Sequence, residues 1–488
     1  MGTGPAALGR AQVMKILYGG RRSAVGGRIF EGARGAMQNL FLTRNLVKIL
    51  ICLAILSGMA LGCNTPSVEK TVEPVTVKET VEIEKVAEEA TRPEDSLLSI
   101  FHYFNDTLGR KSMDEVIALF QQKHPEIEPL RNPMDHEAYK VTIPALLAGD
   151  NQPDVFSYWA GARTQFVVDS ENLQPIDDLW TENGLDQAFP PSIAAGATYD
   201  GEKYFIPIGY HYIAFFYNKE LFDAVGATIP ANWEELKTVA EKFKQAGIPA
   251  FALGSRERWP AQFWFDYLIL RTAGPKYRAE LMAGEKSYID PEVVRVMEMW
   301  QELVDAGYFY PDANAYDWAE AADTVARGQA AMTLMGTWIT GYYKSSLEFE
   351  PEKNYDYFAF PKVDEGVPMA ALGPIDGFVM AKGALHPNAA RQFLAFLATP
   401  EPQVIWTKGQ GALPPSVKVD PTIYDPLIQR VLKEVAVADT FAFNYDLATP
   451  PPMAEAGLNA FSEFMAQPDN YMNILQKTEN SRLELFKK

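Results

Sequence analysis

The sequence contains few cysteines and few histidines. It contains two cysteines, Cys52 and Cys63, both in or directly after one apolar segment, and five scattered histidines among 488 residues. The rest of the chain therefore cannot build a disulfide framework or a cysteine metal site, and histidines this far apart predict no metal site. No phosphate-binding loop, dinucleotide-binding glycine pattern, zinc-protease histidine pair or nucleophile elbow occurs. We expect no cofactor and no metal.

Basic residues are also scarce. Lys and Arg number 44 against 63 Asp and Glu, and the net charge is −19. Because the first 62 residues contribute eight basic residues and one acidic residue, the remainder carries −26. Such an acidic chain, with no basic patch along it, excludes nucleic acid as the expected partner. The length and the 47% hydrophobic content predict two or three globular domains.

An apolar segment near the start has the length of an export signal. Residues 49–62 form 14 positions without a charge and follow Arg44 and Lys48. This layout is typical of a signal peptide and is short for a membrane span of about 20 residues. The segment ends in the letters ALGC, which resemble a bacterial lipoprotein signal with Cys63 as the lipidated first mature residue. The alternative is an unmodified cysteine in a leader.

The regions on either side of this segment predict where the leader begins and what links it to the body of the protein. Residues 1–36 are rich in glycine and arginine and fit no export signal, so we predict a true start at Met37 and a leader over residues 1–62. Residues 63–96 alternate Val and Thr with Glu and Lys and lack aromatics, which predicts an acidic, disordered tether after the lipidated cysteine. We therefore expect a lipid anchor on the outer face of the cytoplasmic membrane.

The body of the chain, from residue 97, alternates strand and helix signals. LLSIFHYF is an apolar run of strand length, Ser112 and Glu115 are spaced as the capping box of a helix, and residues 153–159 indicate a turn followed by a buried strand. Strand, helix and strand in this order predict an α/β fold with a parallel sheet. We find no internal repeat, which argues against a solenoid or a propeller.

Several longer motifs in this body occur in a recognisable order. They are LLAGDNQPDVFSYWAGART, LQPIDDL, YFIPIGYHYIAFFYNKELFDAVGATIPANWEEL, GQAAMTLMGTW, FLAFLATPEPQ and GALPP. Together they resemble extracellular solute-binding protein family 1, the sugar-binding proteins of ABC importers, over residues 97–488. The resemblance implies a two-lobe, periplasmic-binding-protein-like fold of type II with a ligand cleft between the lobes.

The resemblance also implies how the chain divides between the lobes. Lobe one is expected over residues 97–208 plus about 373–408, and lobe two over residues 209–372 plus about 409–488. The chain would cross between them near 207–211, 372–376 and 408–411. Each crossing holds a glycine, and glycines suit a hinge because they absorb backbone rotation; the three are Gly209, Gly373 and Gly409.

A sugar presents hydroxyls at its edges and apolar C–H faces, so its site needs aromatic faces and planar polar groups. Trp159, Arg163 and Trp338 match positions where the family places ligand contacts; the other candidates follow strands, lie at crossings or belong to aromatic motifs. The predicted ligand-binding residues are Asn105, Asp106, Trp159, Arg163, Tyr210, His211, Arg258, Trp259, Trp338, Asp376 and Asp446. Simpler roles remain open for them, namely core packing, surface ion pairing, helix capping or a turn.

The function implied by the resemblance is reversible capture of a sugar or oligosaccharide and its delivery to an ABC permease that has a separate ATPase. The chain would be a monomer and would not be an enzyme. Two alternatives remain open at this point. An exported glycoside hydrolase would use the same residue types but needs two carboxylates flanking the scissile bond. A tethered carbohydrate sensor or adhesin would bind without transport.

Overall fold

The computed structural model describes residues 96–487, and the predictions for the leader, Cys63 and residues 64–95 of the tether fall outside them. In the described part of the chain, no helix combines the length and the apolar character needed to cross a membrane.

Residues 96–487 contain thirteen strands, arranged in two principal sheets and two small pairs. They are β1 (Leu97–His102), β2 (Glu128–Pro133), β3 (Val155–Trp159), β4 (Thr198–Tyr199), β5 (Glu202–Lys203), β6 (Phe205–Tyr210), β7 (Ile213–Asn218), β8 (Phe251–Ala252), β9 (Met332–Gly336), β10 (Tyr355–Phe358), β11 (Ala370–Leu372), β12 (Ile375–Met380) and β13 (Thr440–Ala442).

The first sheet has five strands in the order β2-β1-β3-β12-β6. β1 pairs in parallel with β2 and with β3, as the order of strand and helix predicts. β12 lies antiparallel between β3 and β6. The sheet is therefore mixed, because β12 enters it directly from a crossing segment and not through a crossover helix.

The second sheet has four strands in the order β10-β7-β9-β8. Its β10–β7 and β7–β9 pairs are antiparallel, and its β8–β9 pair is parallel. All six residues of β7, with the sequence IAFFYN, are buried, as expected of a strand covered on both faces. Two small pairs, β4–β5 and β11–β13, complete the strand structure of the described residues.

The same residues contain nineteen α-helices. They are α1 (Thr107–Lys123), α2 (His136–Leu147), α3 (Ala162–Asp169), α4 (Asp177–Glu182), α5 (Leu185–Ala188), α6 (Pro191–Ala195), α7 (Lys219–Val225), α8 (Trp233–Gln245), α9 (Gln262–Thr272), α10 (Gly274–Met282), α11 (Pro291–Asp305), α12 (Trp318–Ala326), α13 (Trp338–Ser346), α14 (Pro387–Leu397), α15 (Pro400–Gln410), α16 (Pro426–Ala436), α17 (Tyr445–Ala448), α18 (Pro451–Ala466) and α19 (Tyr471–Leu485).

The start of α1 differs from the sequence prediction. The helix begins at Thr107 because Asp106 is its N-cap: the Asp106 carboxylate accepts hydrogen bonds from the backbone N–H groups of Leu108 and Gly109, at 3.1 and 2.9 Å. Ser112, predicted as the cap, lies buried within the helix. A spacing pattern found inside a helix was thus mistaken for its start.

Two large hydrophobic cores lie on either side of the crossing segments. One is built from residues 98–208 and 375–406, together with Leu447, and the other from residues 212–372 and 413–475. Leu447 is the exception to an otherwise clean division, because α17 follows the second core along the chain yet inserts this side chain into the first. The described residues thus form two α/β lobes, the architecture implied by the resemblance.

Backbone hydrogen bonds hold the three crossing segments together. The N–H of Tyr210 and the carbonyl of Leu413 lie 3.1 Å apart, the reverse pair lies 2.8 Å apart, and the N–H of His211 donates to the carbonyl of Pro374 at 3.0 Å. A Cβ on Gly373 would lie 1.8 Å from the carbonyl oxygen of His211. This glycine is needed for the close approach of two backbones.

Candidate ligand-binding site

A cavity of about 470 Å³ lies between the two lobes and is lined from both. This volume falls within the roughly 300–1,000 Å³ of small-molecule sites. The residues of the first lobe that line it follow β1, end β3, or lie at α1, α2, β12 and α15, while those of the second lobe lie near α9, α12, α13 and α17. Predicted residues in the wall are Asn105, Asp106, Trp159, His211, Trp259, Trp338, Asp376 and Asp446.

The carboxyl ends of β1 and β3 form one wall. Because these strands are parallel neighbours, Tyr103, directly after β1, and Trp159, at the end of β3, lie beside each other. Their rings stack with centroids 4.1 Å apart and planes 19° apart. The edge of Trp159 also meets the ring of His136, at 5.2 Å between centroids.

Asp376 lies at the centre of a buried polar network. Tyr103 donates its hydroxyl to Oδ1 of Asp376 at 2.5 Å, and Nε2 of His211 lies 3.4 Å from Oδ2. The other ring nitrogen of His211 lies 2.9 Å from the hydroxyl of Thr337. Burial, followed by the adjacent Asp376 carboxylate, raises the pKa of Tyr103 well above its usual value, so the phenol stays protonated and donates.

Two tryptophans of the second lobe form the opposite wall. Trp338 begins α13, and its ring lies 5.8 Å from that of Trp259, centroid to centroid. Trp338 also meets the ring of His211 edge-on at 5.1 Å. Trp259 donates its indole N–H to the carboxylate of Glu257 at 3.1 Å. Both tryptophans are partly exposed, so they offer apolar surface to a ligand.

His136 brings the two lobes into contact across the cavity. Its ring, on α2, lies 6.3 Å from the ring of Trp259 between centroids. Its Nδ1 donates a hydrogen bond to Oε1 of Glu137 at 2.9 Å. Burial alone would raise the pKa of Glu137, but the partners His136 and Lys140 lower it to about 2.

Several cavity residues were missed by sequence reasoning. Trp318 and Tyr342 line the second-lobe side, with ring centroids 5.3 Å apart, and Trp406 lines the first-lobe side, packed against Phe104 at 4.1 Å. Trp318 follows Asp317, which forms a capping box with Glu320. That capping pattern was readable in the sequence and would have indicated an exposed helix start carrying an aromatic.

Buried polar contacts fix the start of α17 and the loop before it. The N–H of Asp446 donates to Oε1 of Gln262 at 2.9 Å, and the N–H of Tyr445 donates to Asp266 at 2.7 Å. Arg278 donates to Asp266 at 2.6 Å and, through the same nitrogen, to the carbonyl of Phe443. Asp266, on α9, therefore positions the segment that carries Asp446.

Three predicted residues do not line the cavity. Arg163 lies buried behind the wall, with its guanidinium 5.7 Å from the Trp159 ring and 3.9 Å from the Asp446 carboxylate. Arg258 donates instead to Glu455, at 2.8 Å, on α18. Tyr210 packs edge-on against Phe441 at the first crossing.

The charge of the cavity wall is entirely acidic apart from its histidines. Within the described residues, six carboxylic side chains and no lysine or arginine line it. No group of three or more His, Cys, Asp or Glu side chains in residues 96–487 has the arrangement of a metal site. The wall offers hydrogen-bond acceptors and indole faces.

Two α/β lobes joined by three crossings, with an aromatic and acidic cavity between them, define a two-lobe solute-binding protein. The chain belongs to the bacterial extracellular solute-binding protein family, whose model matches residues 106–404. Members of this family are binding proteins and not enzymes, which removes the hydrolase alternative.

Relatives agree with this assignment. An uncharacterized ABC transporter extracellular-binding protein of Pyrococcus horikoshii is 31% identical over 398 residues, covering 80% of this chain and 85% of the relative. A probable sugar-binding periplasmic protein of Mesorhizobium japonicum is 22% identical over 340 residues, covering 67% and 79%.

Solved structures have the same fold. The bacterial solute receptor AcbH, described as preferring β-D-galactopyranose, superposes with a TM-score of 0.76 at 25% identity and covers 80% of this chain and 100% of its own. A chitin oligosaccharide binding protein superposes with a TM-score of 0.73 at 22% identity, covering 80% and 99%.

Proposed function

We propose that this protein captures a sugar or short oligosaccharide in the interlobe cavity and delivers it to the permease of an ABC importer. The observation that carries the proposal is the composition of the cavity wall, in which five tryptophans from both lobes surround about 470 Å³ beside carboxylates and amides. Indole faces match the C–H faces of a sugar, and carboxylates accept hydrogen bonds from its hydroxyls.

The proposed roles follow from exposure and contacts. Trp259, Trp318 and Trp338 are partly exposed in the wall and would stack on the ligand. Asp376, oriented by Tyr103, and Asp446, oriented by its backbone bond to Gln262, would accept sugar hydroxyls. Trp159 has Tyr103 stacked on one face, so only its remaining surface would be available.

We further propose that the lobes close around the ligand by rotation at the three crossings. Lobe one would comprise residues 97–208 and about 373–408, and lobe two residues 209–372 and about 409–488. The contact between His136 and Trp259 in the cavity wall supports a closing surface there, because these rings come from different lobes. Closure would present a composite surface to the permease.

The location we propose is outside the cytoplasmic membrane, with the body held by a lipid on Cys63 and by the acidic tether. The apolar run and the ALGC letters before the tether support this proposal. A Cys63→Ser variant should lose fatty-acid labelling in cells and move from the membrane fraction to the soluble fraction. Equal labelling of wild type and variant would overturn the anchor. Light scattering of the purified protein should give a monomer mass.

Ligand binding is tested by a thermal-shift screen of the purified protein against mono-, di- and oligosaccharides, followed by calorimetry. A sugar that binds only the folded state at 100 times its Kd stabilises that state by about 2.7 kcal/mol, which raises the melting temperature. Chromatography of the recovered sugar should show it intact. No shift with any sugar, or a cleaved product, would contradict the proposal.

A further inference from the structure

The cavity wall contains acidic side chains, and the rest of the chain provides suitable partners for some of them but not for all. The carboxylic side chains lining it are Asp106, Asp135, Glu257, Asp317, Asp376 and Asp446. Since no lysine or arginine of the described residues lines the cavity, a ligand that carries its own negative charge would enter an unfavourable potential.

Most of these carboxylates already have a partner suited to their charge. Asp317 pairs with Arg256 at 2.6 Å and Asp446 lies 3.9 Å from Arg163, while Asp376 accepts the Tyr103 hydroxyl at 2.5 Å and lies 3.4 Å from a ring nitrogen of His211. Asp106 and Asp135 cap the N-termini of α1 and α2, where backbone N–H groups and the helix dipole stabilise an anion.

Glu257 differs from the other five. Its hydrogen-bond donor in the described part of the chain is the neutral indole N–H of Trp259. Burial raises the pKa of Glu257, the hydrogen bond from Trp259 and the nearby His136 act in the opposite direction, and the carboxylates of Glu137 and Asp317 add to the increase. The carboxylate is half-buried at the place where the two lobes meet, so a bound ligand would strip it of more water without a cation to compensate.

A second wall group also lacks a donor. Asn444 lines the cavity and is 5% exposed, and its Oδ1 has no hydrogen-bond partner among the described residues. Buried acceptors left unpaired are unfavourable, so this oxygen indicates a ligand with N–H or O–H groups to donate. The partly exposed ring of Trp259, which is hydrogen-bonded to Glu257, and the neighbouring ring of Trp338 add two faces that attract a cation.

We propose that the preferred ligand is a sugar bearing a protonated amino group, which pairs with Glu257 and lies against the Trp259 indole, and that sugar acids and sugar phosphates are rejected. This inference rests on the proposed sugar-binding function and deepens it. A free amine satisfies the donor requirement and also balances the Glu257 carboxylate, which among the described residues pairs with no lysine or arginine and caps no helix, whereas a hydroxyl satisfies only the donor requirement.

The test is calorimetry at about pH 6, where an amine of this type is protonated. The probes are matched pairs that differ in one group: glucose and glucosamine, galactose and galactosamine, and cellobiose and the glucosamine disaccharide, with glucuronic acid as the anionic probe. We expect the amino member of the binding pair to bind about tenfold more tightly than its neutral partner. Added salt should reduce that ratio, and glucuronic acid should bind more weakly than glucose.

Two variants separate a specific pairing from general acidity. Glu257→Gln should bring the ratio of amino to neutral affinity close to one. Glu234→Gln, which removes the same charge from an exposed side chain outside the cavity, should keep the wild-type ratio. Neutral sugars binding as tightly as their amino partners, or a preference that persists in Glu257→Gln, would overturn this inference and leave sugar binding intact. Binding of no sugar from either group would overturn the proposed function as well.

Discussion

The hydroxyl of Tyr103 donates a 2.5 Å hydrogen bond to Oδ1 of Asp376, joining the end of the first strand to the last strand added to the same sheet. Both residues line the cavity, and His211 from another crossing lies on the second carboxylate oxygen. Two of the three crossings therefore share one polar network with the residue that follows β1, and the position of the Asp376 carboxylate depends on residues that are distant in sequence.

Replacing Tyr103 with Phe should destabilise the protein. The substitution keeps the ring that stacks on Trp159 but leaves the buried Asp376 oxygen without its donor, which costs about 1–3 kcal/mol of unfolding free energy. Urea unfolding, monitored by tryptophan fluorescence, measures this loss of unfolding free energy. Tyr310→Phe is the control, because its hydroxyl has no hydrogen-bond partner among the described residues. Equal effects of both variants would show that the bond contributes nothing.

Removing an indole from the wall should weaken ligand binding. Trp338→Ala and Trp259→Ala each remove a partly exposed face, and each should cost about 1–3 kcal/mol of binding free energy for a sugar identified in the screen. Calorimetry measures the loss and circular dichroism checks the fold. Phe166→Ala, at a side chain 45% exposed away from the cavity, should leave affinity unchanged. Unaltered affinity in both tryptophan variants would exclude them from the site.

His102 should make stability depend on pH. Burial lowers its pKa from 6.5 to about 4, and neither ring nitrogen has a hydrogen-bond partner among the described residues. Between these values the unfolded chain binds the proton and the folded chain does not, so acidification through this window removes up to about 3 kcal/mol of stability. His102→Leu should remove that contribution.

The measurement for His102 is the difference between wild type and variant across pH 4 to 6.5, by urea titration. Subtraction is needed because burial raises the pKa of Asp266 to about 6, which gives the opposite slope in part of the same range. Phe101→Leu, next to it on β1, should retain the full wild-type pH dependence. An unchanged slope in His102→Leu would contradict the prediction.

A methyl group on Gly373 should disturb the crossings. Because its Cβ would lie 1.8 Å from the His211 carbonyl oxygen, Gly373→Ala must push two backbones apart, at a cost of about 1–3 kcal/mol or more in unfolding free energy. Gly149→Ala is the matched control, since its nearest neighbour would be 3.6 Å away. Similar unfolding midpoints for the two variants would refute the crowding argument.

The order of the elements was predictable because it depends on local signals. The apolar run of β1 and the parallel β1–β3 pair follow from hydrophobic spacing and strand–helix order. The antiparallel insertion of β12 was not predictable, because pairing between distant strands leaves no periodic signal in either one. The start of α1 was wrong because Asp106 was considered only as a ligand contact.

For a similar reason, the sequence was sufficient to place some cavity residues and insufficient to place others. Residues at the carboxyl ends of strands, such as Trp159, could be proposed from the rule that parallel strands present those ends at one edge of the sheet. Tyr103 satisfies the same rule and was overlooked beside Asn105. Arg163 and Arg258 could not be assigned from sequence, because the direction of a long side chain depends on neighbours such as Asp446 and Glu455 that come from remote segments.

Because β12 lies between β3 and β6, the first sheet cannot be completed until β12 has been synthesised. A nascent or translocating chain has already produced β1, β2, β3 and β6, yet β3 and β6 each keep an open edge until residues 375–380 emerge. Open strand edges recruit other chains, so the partly synthesised protein is vulnerable to aggregation for most of its production. A fragment that ends before residue 375 keeps these open edges and therefore remains prone to aggregation. Expression of the first lobe alone requires β12 to be included as well.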